Sequence, residues 1–109
     1  PTRLARHGAA FTRAGRINMR NTQFAEDEKP IDPGCGCYTC THHTRSYVRH
    51  LLNVEEMLGL LLMSQHNLHF LLQMMREARV AILAGTYADY MDAFVARYSR
   101  PLLQPLQAG

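Results

Sequence analysis

Three cysteines, Cys35, Cys37 and Cys40, stand within six residues, and this cluster constrains the fold more than any other feature. The chain has no further cysteine, so a closed disulfide framework is disfavoured and a reducing, cytoplasmic setting is favoured. Gly34 and Gly36 let the backbone fold tightly around a central ion. Thiolates are soft ligands that suit Zn²⁺ or an iron–sulfur cluster. The segment therefore predicts a metal-binding loop.

A structural Zn²⁺ site has four ligands in a tetrahedron, so three cysteines need one partner, which is most often histidine. The candidates are His42, His43, His50, His66 and His69. His42 and His43 lie too close to Cys40 to close the tetrahedron without strain, and His50 and His69 fall within predicted helices without special placement. His66 is favoured because it falls in the first turn of a predicted helix, next to a break. The alternatives are an iron–sulfur cluster, for which a fourth cysteine is missing, and three unconnected reduced cysteines.

Positive charge is concentrated near the start of the chain, although the formal net charge is only +3. Residues 1–20 contain no acid and five arginines, namely Arg3, Arg6, Arg13, Arg16 and Arg20. Arginine offers a planar fork of donors that suits phosphates and base edges, so a nucleic-acid partner is one interpretation. A solvated basic surface is the other.

The pattern of apolar and turn residues predicts a hairpin followed by helices. Residues 1–8 are predicted to be extended or looped, residues 9–21 to form a hairpin with its turn at Ala14-Gly15, and residues 22–34 to form a loop. Thr44 is the expected N-cap of a helix that reaches about residue 63, with Tyr47, Leu58 and Leu61 on its apolar side. Gly59 weakens this helix unless close packing requires it.

Two further helices and a tail are predicted after this point. Ser64 is the expected N-cap of a helix over residues 65–84, which Gly85 ends as a left-handed C-cap. A third helix covers residues 86–98, with Tyr87 and Val95 on its buried side. Pro101 and Pro105 break further order, so the residues after them are predicted to be a loose tail.

The 109 residues allow one domain, yet they look like the last part of a larger one. The second predicted helix is apolar around more than half of its circumference, and such a helix normally packs against a sheet or a second partner. No run of 18 or more apolar residues is present, so no membrane span is expected.

Four segments together resemble one family, the bacterial tRNA-guanine transglycosylases, also called queuine tRNA-ribosyltransferases. They are PTRLARHG at residues 1–8, the pattern IxxRN at residues 17–21, CxCxxC at residues 35–40, and His66 within SQHNLHFLLQMMREAR. The resemblance covers nearly the whole chain and fades in the last ten residues. Each motif alone is weak to moderate, but the cysteines with a histidine 26 residues later are highly specific in combination with the first motif.

The resemblance implies an α/β fold, a (β/α)₈ barrel with a zinc subdomain near its C-terminal end. The chain is then a single partial domain, the C-terminal part of the barrel, mostly α with a short β-hairpin and a zinc-binding loop. Its expected parts are a tRNA-recognition loop at 1–8, the hairpin at 9–21, the zinc-binding subdomain with the first helix at 22–66, closing helices at 67–98, and a loose tail at 99–109.

The resemblance also implies a reaction. Family enzymes exchange guanine at the wobble position of GUN anticodons, in the tRNAs for Asp, Asn, His and Tyr, for a 7-deazaguanine precursor of queuosine. An aspartate nucleophile forms a glycosyl-enzyme intermediate and a second aspartate handles proton transfer. Both align before Pro1, so no catalytic residue is expected within these 109 residues, and they are expected to be inactive alone. The aspartates Asp27, Asp32, Asp89 and Asp92 match no catalytic position and are predicted to lie on the surface.

The family's binding residues carry over by position. Thr2, Arg3, Leu4, Ala5 and Arg6 match the segment that recognises the tRNA. Cys35, Cys37, Cys40 and His66 match the ligands of one structural Zn²⁺. His43, Tyr47 and His50 are spaced to share a helical face, which would contact the partner in a homodimer; intramolecular packing is the alternative.

A second function remains open, a non-catalytic zinc module that binds tRNA or a partner subunit. A DNA-binding zinc finger is disfavoured, because the paired ligand spacing and the recognition helix of such fingers are missing.

Overall fold

The computed structural model describes residues 5–99, and one long helix organises it. The elements in order are β1 (Ala9–Thr12), β2 (Gly15–Asn18), a short 3₁₀ helix η1 (Thr22–Phe24), α1 (Tyr38–His42), α2 (Arg45–Asn53), α3 (Met57–Ala84) and α4 (Tyr87–Ser99). The hairpin and helices α1, α2 and α4 all pack on α3. The predicted sites Thr2, Arg3 and Leu4, and the predicted tail beyond Ser99, lie outside the described residues.

Strands β1 and β2 form the predicted hairpin, but its turn is one residue earlier than expected. They pair antiparallel, with Ala10 opposite Ile17 and Thr12 opposite Gly15, so the turn residues are 13 and 14. The Thr12 hydroxyl donates to the Gly15 carbonyl and accepts from the Ala14 amide, and these bonds close the turn at Thr12. Gly15, at φ 125°, opens β2 in a conformation that other residues rarely adopt. Before the hairpin, Ala5 and Arg6 are helical rather than extended.

Helix α2 begins as predicted but ends about ten residues early. The Thr44 hydroxyl accepts from the Tyr47 amide, which confirms the N-cap. After Asn53 the chain adopts a Schellman motif, in which the Glu56 amide donates to Leu51 and the Glu55 amide to Leu52. Glu55 is left-handed at φ 60°, a position that glycine usually fills. Because the chain has glutamate and not glycine at this position, the local sequence does not indicate the helix end.

Helix α3 continues through the position where a second break was predicted. It spans 28 residues, and Ser64 lies within it rather than at its N-cap. Gly59 is needed for packing, because a Cβ there would lie 3.0 Å from the Leu51 Cβ and 3.1 Å from the Leu52 amide nitrogen. The close approach of α2 and α3 therefore depends on this glycine. Gly85 ends α3 in the left-handed conformation, as predicted.

The core lies where the hairpin, α2 and the first half of α3 meet. Met19, Ile31, Val48, Leu52 and Met63 are at most 2% exposed. The predicted apolar side of the first helix is only partly buried, because Tyr47, Leu58 and Leu61 are exposed. None of the helices within residues 5–99 combines the length and apolarity needed to cross a membrane.

Much of the apolar surface of α3 and α4 remains exposed in this chain. Within the described residues, the exposed large apolar side chains of these two helices are Met57, Leu58, Leu61, Leu68, Leu72, Met75, Val80, Ile82, Leu83, Tyr87 and Val95. The prediction that Tyr87 and Val95 face a core of this chain is therefore wrong. The broad apolar face of α3 is present as the sequence indicates, but residues 5–99 do not cover it.

Candidate metal centre

The three cysteines and one histidine come together as a compact ligand group. The sulfurs of Cys35, Cys37 and Cys40 and a ring nitrogen of His66 all lie within 4.8 Å of one another. Cys35 lies in the loop before α1, Cys37 is the N-cap of α1, and Cys40 is within α1. His66 comes from α3 and is fully buried.

Backbone amides orient the three sulfurs. The Cys37 sulfur accepts from the Cys40 amide at 3.3 Å, and the Cys35 sulfur accepts from the Cys37 amide at 3.5 Å. The Cys40 sulfur accepts from the Asp32 amide at 3.5 Å. Gly34, at φ 92°, provides the left-handed turn that leads into this loop. The loop therefore places its sulfurs toward one point and directs donors at each of them.

His66 presents one ring nitrogen to the sulfurs and anchors the other. Its Nδ1 lies 3.4 Å from the sulfurs of Cys37 and Cys40 and 3.8 Å from that of Cys35. Its Nε2 lies 2.7 Å from the Phe11 carbonyl, to which Nε2–H donates. This bond selects the tautomer whose Nδ1 lone pair faces the thiols, which is how proteins commonly orient a metal-binding histidine.

His66 is correctly predicted, but its expected position in the fold is wrong. It lies inside the continuous helix α3, nine residues after its first residue Met57, and not in a first turn beside a break. The packing of α3 against α1 and β1 brings it to the loop. The other candidate histidines are not part of this ligand group: His42 faces the Tyr38 carbonyl, His43 stacks on Tyr47, and His50 is exposed.

The pKa values of the thiols differ because one thiol donates to another. The Cys40 thiol donates a hydrogen bond to the Cys37 sulfur, which is the largest cause that lowers the pKa of Cys37 to about 3. The same bond to Cys37, together with burial, raises the pKa of Cys40. Burial raises the pKa of Cys35. A cation that binds all three sulfurs as thiolates must therefore displace protons, so binding weakens as the pH falls.

The donor set fits one metal ion. Three sulfurs and one imidazole nitrogen match the tetrahedral Cys₃His sets of structural zinc sites. Cys37, Cys40 and His66 are buried and Cys35 is half-buried, so the group is largely closed to solvent. A closed site of four protein ligands holds loops and helices together and leaves no open position for chemistry.

Asp32 links the metal loop to the hairpin, a role that sequence reasoning missed. It was expected on the surface but is 5% exposed, and its carboxylate accepts from the Arg13 amide at 3.2 Å. Burial raises its pKa despite this bond. Asp27 is also mostly covered, whereas Asp89 and Asp92 are exposed as predicted. No local signal separates Asp32 from the three acids near it.

The described part of the predicted tRNA-recognition segment lies beside the hairpin. Ala5 is fully buried and Arg6 is exposed. Other arginines of the basic region have intramolecular partners: Arg13 pairs with Glu77 at 2.6 Å, and the Arg20 guanidinium donates to the Leu52 carbonyl at 2.9 Å. The positive charge therefore serves partly to hold the fold.

Aromatic rings cluster on the surface next to the metal loop. His43 stacks on Tyr47, with ring centroids 5.1 Å apart, although His43 precedes the N-cap of α2 and is not on that helix. Tyr38, to which no pattern in the sequence assigns a role, stacks on His42 with ring centroids 4.2 Å apart. Tyr38 and Tyr47 are 55% and 39% exposed. This aromatic surface is defined as Tyr38, His42, His43 and Tyr47.

A closed metal site that fastens a hairpin and a loop onto a long helix defines a structural metal-binding protein. A family model described as queuine tRNA-ribosyltransferase matches residues 1–100, and the chain belongs to this family.

Curated relatives agree with the family assignment. Three similar proteins, each named queuine tRNA-ribosyltransferase, come from Symbiobacterium thermophilum, Bacillus subtilis and Fusobacterium nucleatum, with 52%, 49% and 47% identity over 90% of this chain. The chain spans about a quarter of their length, which is 24% of the first and 26% of the other two.

Proposed function

We propose that this chain is the C-terminal, tRNA-binding and zinc-bearing part of a tRNA-guanine transglycosylase. The enzyme exchanges guanine at the wobble position of GUN anticodons for a 7-deazaguanine precursor of queuosine. The family match over residues 1–100 carries the proposal, and the Cys₃His group supports its zinc-bearing part. The protein works in the cytoplasm, where tRNA is modified and cysteines such as these stay reduced.

The chemistry belongs to residues outside these 109. Within residues 5–99, Asp27, Asp32 and Glu77 are engaged with Arg45, the Arg13 amide and Arg13, respectively. Because these three acids are held by intramolecular partners, a second candidate function also fits the 109 residues. It is a non-catalytic zinc module that binds tRNA or a partner subunit. The purified 109-residue chain is expected to exchange no labelled guanine in tRNA, and detectable exchange would contradict the proposed inactivity. The two candidates differ for the protein in the length that its gene encodes, which should exchange guanine under the first candidate and not under the second.

Arg6 is the described residue that best fits contact with tRNA. Its side chain is exposed and lines a cavity of about 290 Å³ together with Arg20. The Arg20 guanidinium lies 3.5 Å from the Arg6 carbonyl, so the backbone is held while the Arg6 guanidinium stays accessible. An arginine in this position can donate to phosphates or base edges of an anticodon loop.

Replacing Arg6 by Ala is expected to weaken tRNA binding because one cationic contact is lost. The slope of log affinity against log salt should fall by about one if that contact is to a phosphate. Filter binding or fluorescence anisotropy over a salt series measures both quantities. Arg79→Ala is the matched control, since it removes the same charge from an exposed position in the second half of α3. An equal loss in both variants would mean that only overall charge matters, and the assignment of Arg6 would be wrong.

We also propose that the face predicted from His43, Tyr47 and His50 contacts the partner in a homodimer. Exposed stacked rings next to a rigid metal loop are well suited to such a contact, because aromatic residues bury a large area at low entropic cost. The half-exposed ring of Tyr47 argues against the alternative of intramolecular packing alone.

Tyr47→Ala is expected to shift the protein from dimer toward monomer, because truncating a buried aromatic anchor typically costs about 2 kcal/mol or more. Sedimentation velocity over a concentration series measures the shift. Tyr87→Ala serves as the control, since Tyr87 has a similar exposure, 42%, on α4. If Tyr47→Ala associates like the wild type, the assigned face is wrong.

A further inference from the structure

We infer that Asn67 is a positioning residue, which holds the hairpin on the metal centre in place of a third strand and so positions residues 5–8. The expected effect of Asn67 on tRNA binding rests on the proposed function. The hydrogen bonds by which Asn67 holds the hairpin do not depend on it.

Asn67 hydrogen-bonds β1 as a neighbouring strand would. Its Oδ1 accepts from the Phe11 amide at 3.1 Å, and its Nδ2 donates to the Ala9 carbonyl at 3.0 Å. The adjacent His66 donates to the Phe11 carbonyl at 2.7 Å. Two consecutive residues of α3 thus satisfy three backbone groups of β1. Asn67 is fully buried, so both of its bonds are shielded from water.

The strand register explains why β1 needs these bonds. Thr12 faces Gly15 across a two-residue turn, so the polar groups of Ala9 and Phe11 point away from β2. A two-stranded hairpin is marginal on its own, and an edge strand with buried unpaired groups is costly. The Phe11 ring also stacks on Phe70, one turn further along α3, at 5.7 Å between centroids. Helix α3 therefore closes the edge of β1 with both polar and apolar contacts.

The hairpin in turn fixes the segment that precedes it. The Met19 amide donates to the Gly8 carbonyl at 2.7 Å, and the Gly8 amide donates to Ala5 at 3.0 Å. Gly8 is left-handed at φ 79°, and a Cβ there would lie 2.9 Å from the Asn18 Oδ1. The position of Arg6 therefore follows from the position of the hairpin, which depends on Asn67 and on the metal ligand beside it.

The experiment uses the protein in the length that its gene encodes, with its metal bound. Asn67→Leu keeps the same number and branching of side-chain heavy atoms and removes both bonds. Thr39→Val is the matched control: Thr39 is also fully buried and bonds α3 through the Leu62 carbonyl and Gln65, but it has no bond to the hairpin. Three quantities are measured: metal per chain, tRNA affinity, and hydrogen exchange of the Phe11 amide relative to that of Val48 in α2.

We expect Asn67→Leu to retain one metal per chain. The Phe11 amide should exchange about 10- to 100-fold faster relative to the Val48 amide, because its hydrogen bond is lost. The tRNA affinity should fall nearly as far as it does in Arg6→Ala. Thr39→Val should change neither the relative exchange nor the affinity. Asn67→Ala, which leaves room for water, replaces Asn67→Leu if the latter fails to fold.

The inference would be overturned if the relative exchange of the Phe11 amide in Asn67→Leu equals that of the wild type. It would also be overturned if this exchange is faster but Asn67→Leu binds tRNA as tightly as the wild type, while Arg6→Ala binds it weakly. If the wild-type protein binds no tRNA, the proposed function has failed and the inferred positioning of the tRNA segment fails with it. The Phe11 exchange then still reports whether Asn67 holds the hairpin.

Discussion

His66→Ala is expected to remove the metal and to unfold the region around the metal loop, whereas His69→Ala is expected to retain one metal per chain. His66 supplies the fourth ligand and the bond to the Phe11 carbonyl, so its loss opens the site and frees one side of the hairpin. Structural Zn²⁺ contributes about 10–16 kcal/mol of apparent binding free energy in small zinc domains, so the loss should be among the largest that a single substitution can produce in this chain.

Elemental analysis of the purified variants, with far-UV circular dichroism before and after a chelator, makes the measurement. His69 is a fair control because it lies one turn from His66 on the same helix and is not in the ligand group. Stoichiometric metal in His66→Ala, or loss of metal in His69→Ala, would show that the fourth ligand is misassigned. Chelation of the wild type should reproduce the spectrum of His66→Ala.

Arg45→Met is expected to produce the second largest effect, a loss of about 3 kcal/mol in the free energy of unfolding. The guanidinium donates to the Asp27 carboxylate at 3.0 Å and to the Ile31 carbonyl at 3.0 and 3.3 Å. It also lies over the Phe24 ring at 5.2 Å, and its side chain is 14% exposed. Methionine keeps most of the packing, but it removes the guanidinium donors from the Ile31 carbonyl and from the largely covered Asp27 carboxylate, which retains only the Lys29 amide and the more distant Lys29 ammonium group.

Denaturant unfolding of metal-loaded protein measures this effect, with Lys29→Met as the control. Lys29 approaches the same carboxylate at 3.8 Å but is 65% exposed, so its removal should cost less than about 1 kcal/mol. Equal effects of the two substitutions would mean that the charge alone, and not the buried hydrogen bonds of Arg45, stabilises the loop.

The difference in the free energy of unfolding between the wild type and Arg45→Met is expected to depend on pH. Burial raises the pKa of Asp27, but the Lys29 amide and then Arg45 lower it by more, so the folded pKa lies below the ordinary value of 3.8. A carboxylate with a lowered pKa stabilises the fold above its unfolded pKa, and this stability is lost as the pH falls through the folded value. The difference between the wild type and Arg45→Met should therefore be constant above about pH 5 and shrink below about pH 4.

Local signals made several elements predictable. Thr44 and Gly85 act within a few residues of themselves, as an N-cap hydroxyl and a left-handed C-cap, and both were confirmed. The hairpin was predicted from its alternating residues, but its turn depended on the Thr12 hydroxyl and was placed one residue late. The helix break at Glu55 was missed because the motif that produces it lacks its usual glycine.

The sequence by itself determined the metal-binding loop, the most suitable histidine and the family, because ligand spacing and motif identity are properties of the chain. Only the tertiary structure decided how His66 reaches the loop, that Asp32 and Asn67 fasten the hairpin, and that the apolar face of α3 stays uncovered here. The contacts of His66 and Asn67 join residues 26 to 58 positions apart. No local preference of the backbone encodes such a separation, since it depends on how α3 packs across the hairpin and the metal loop together.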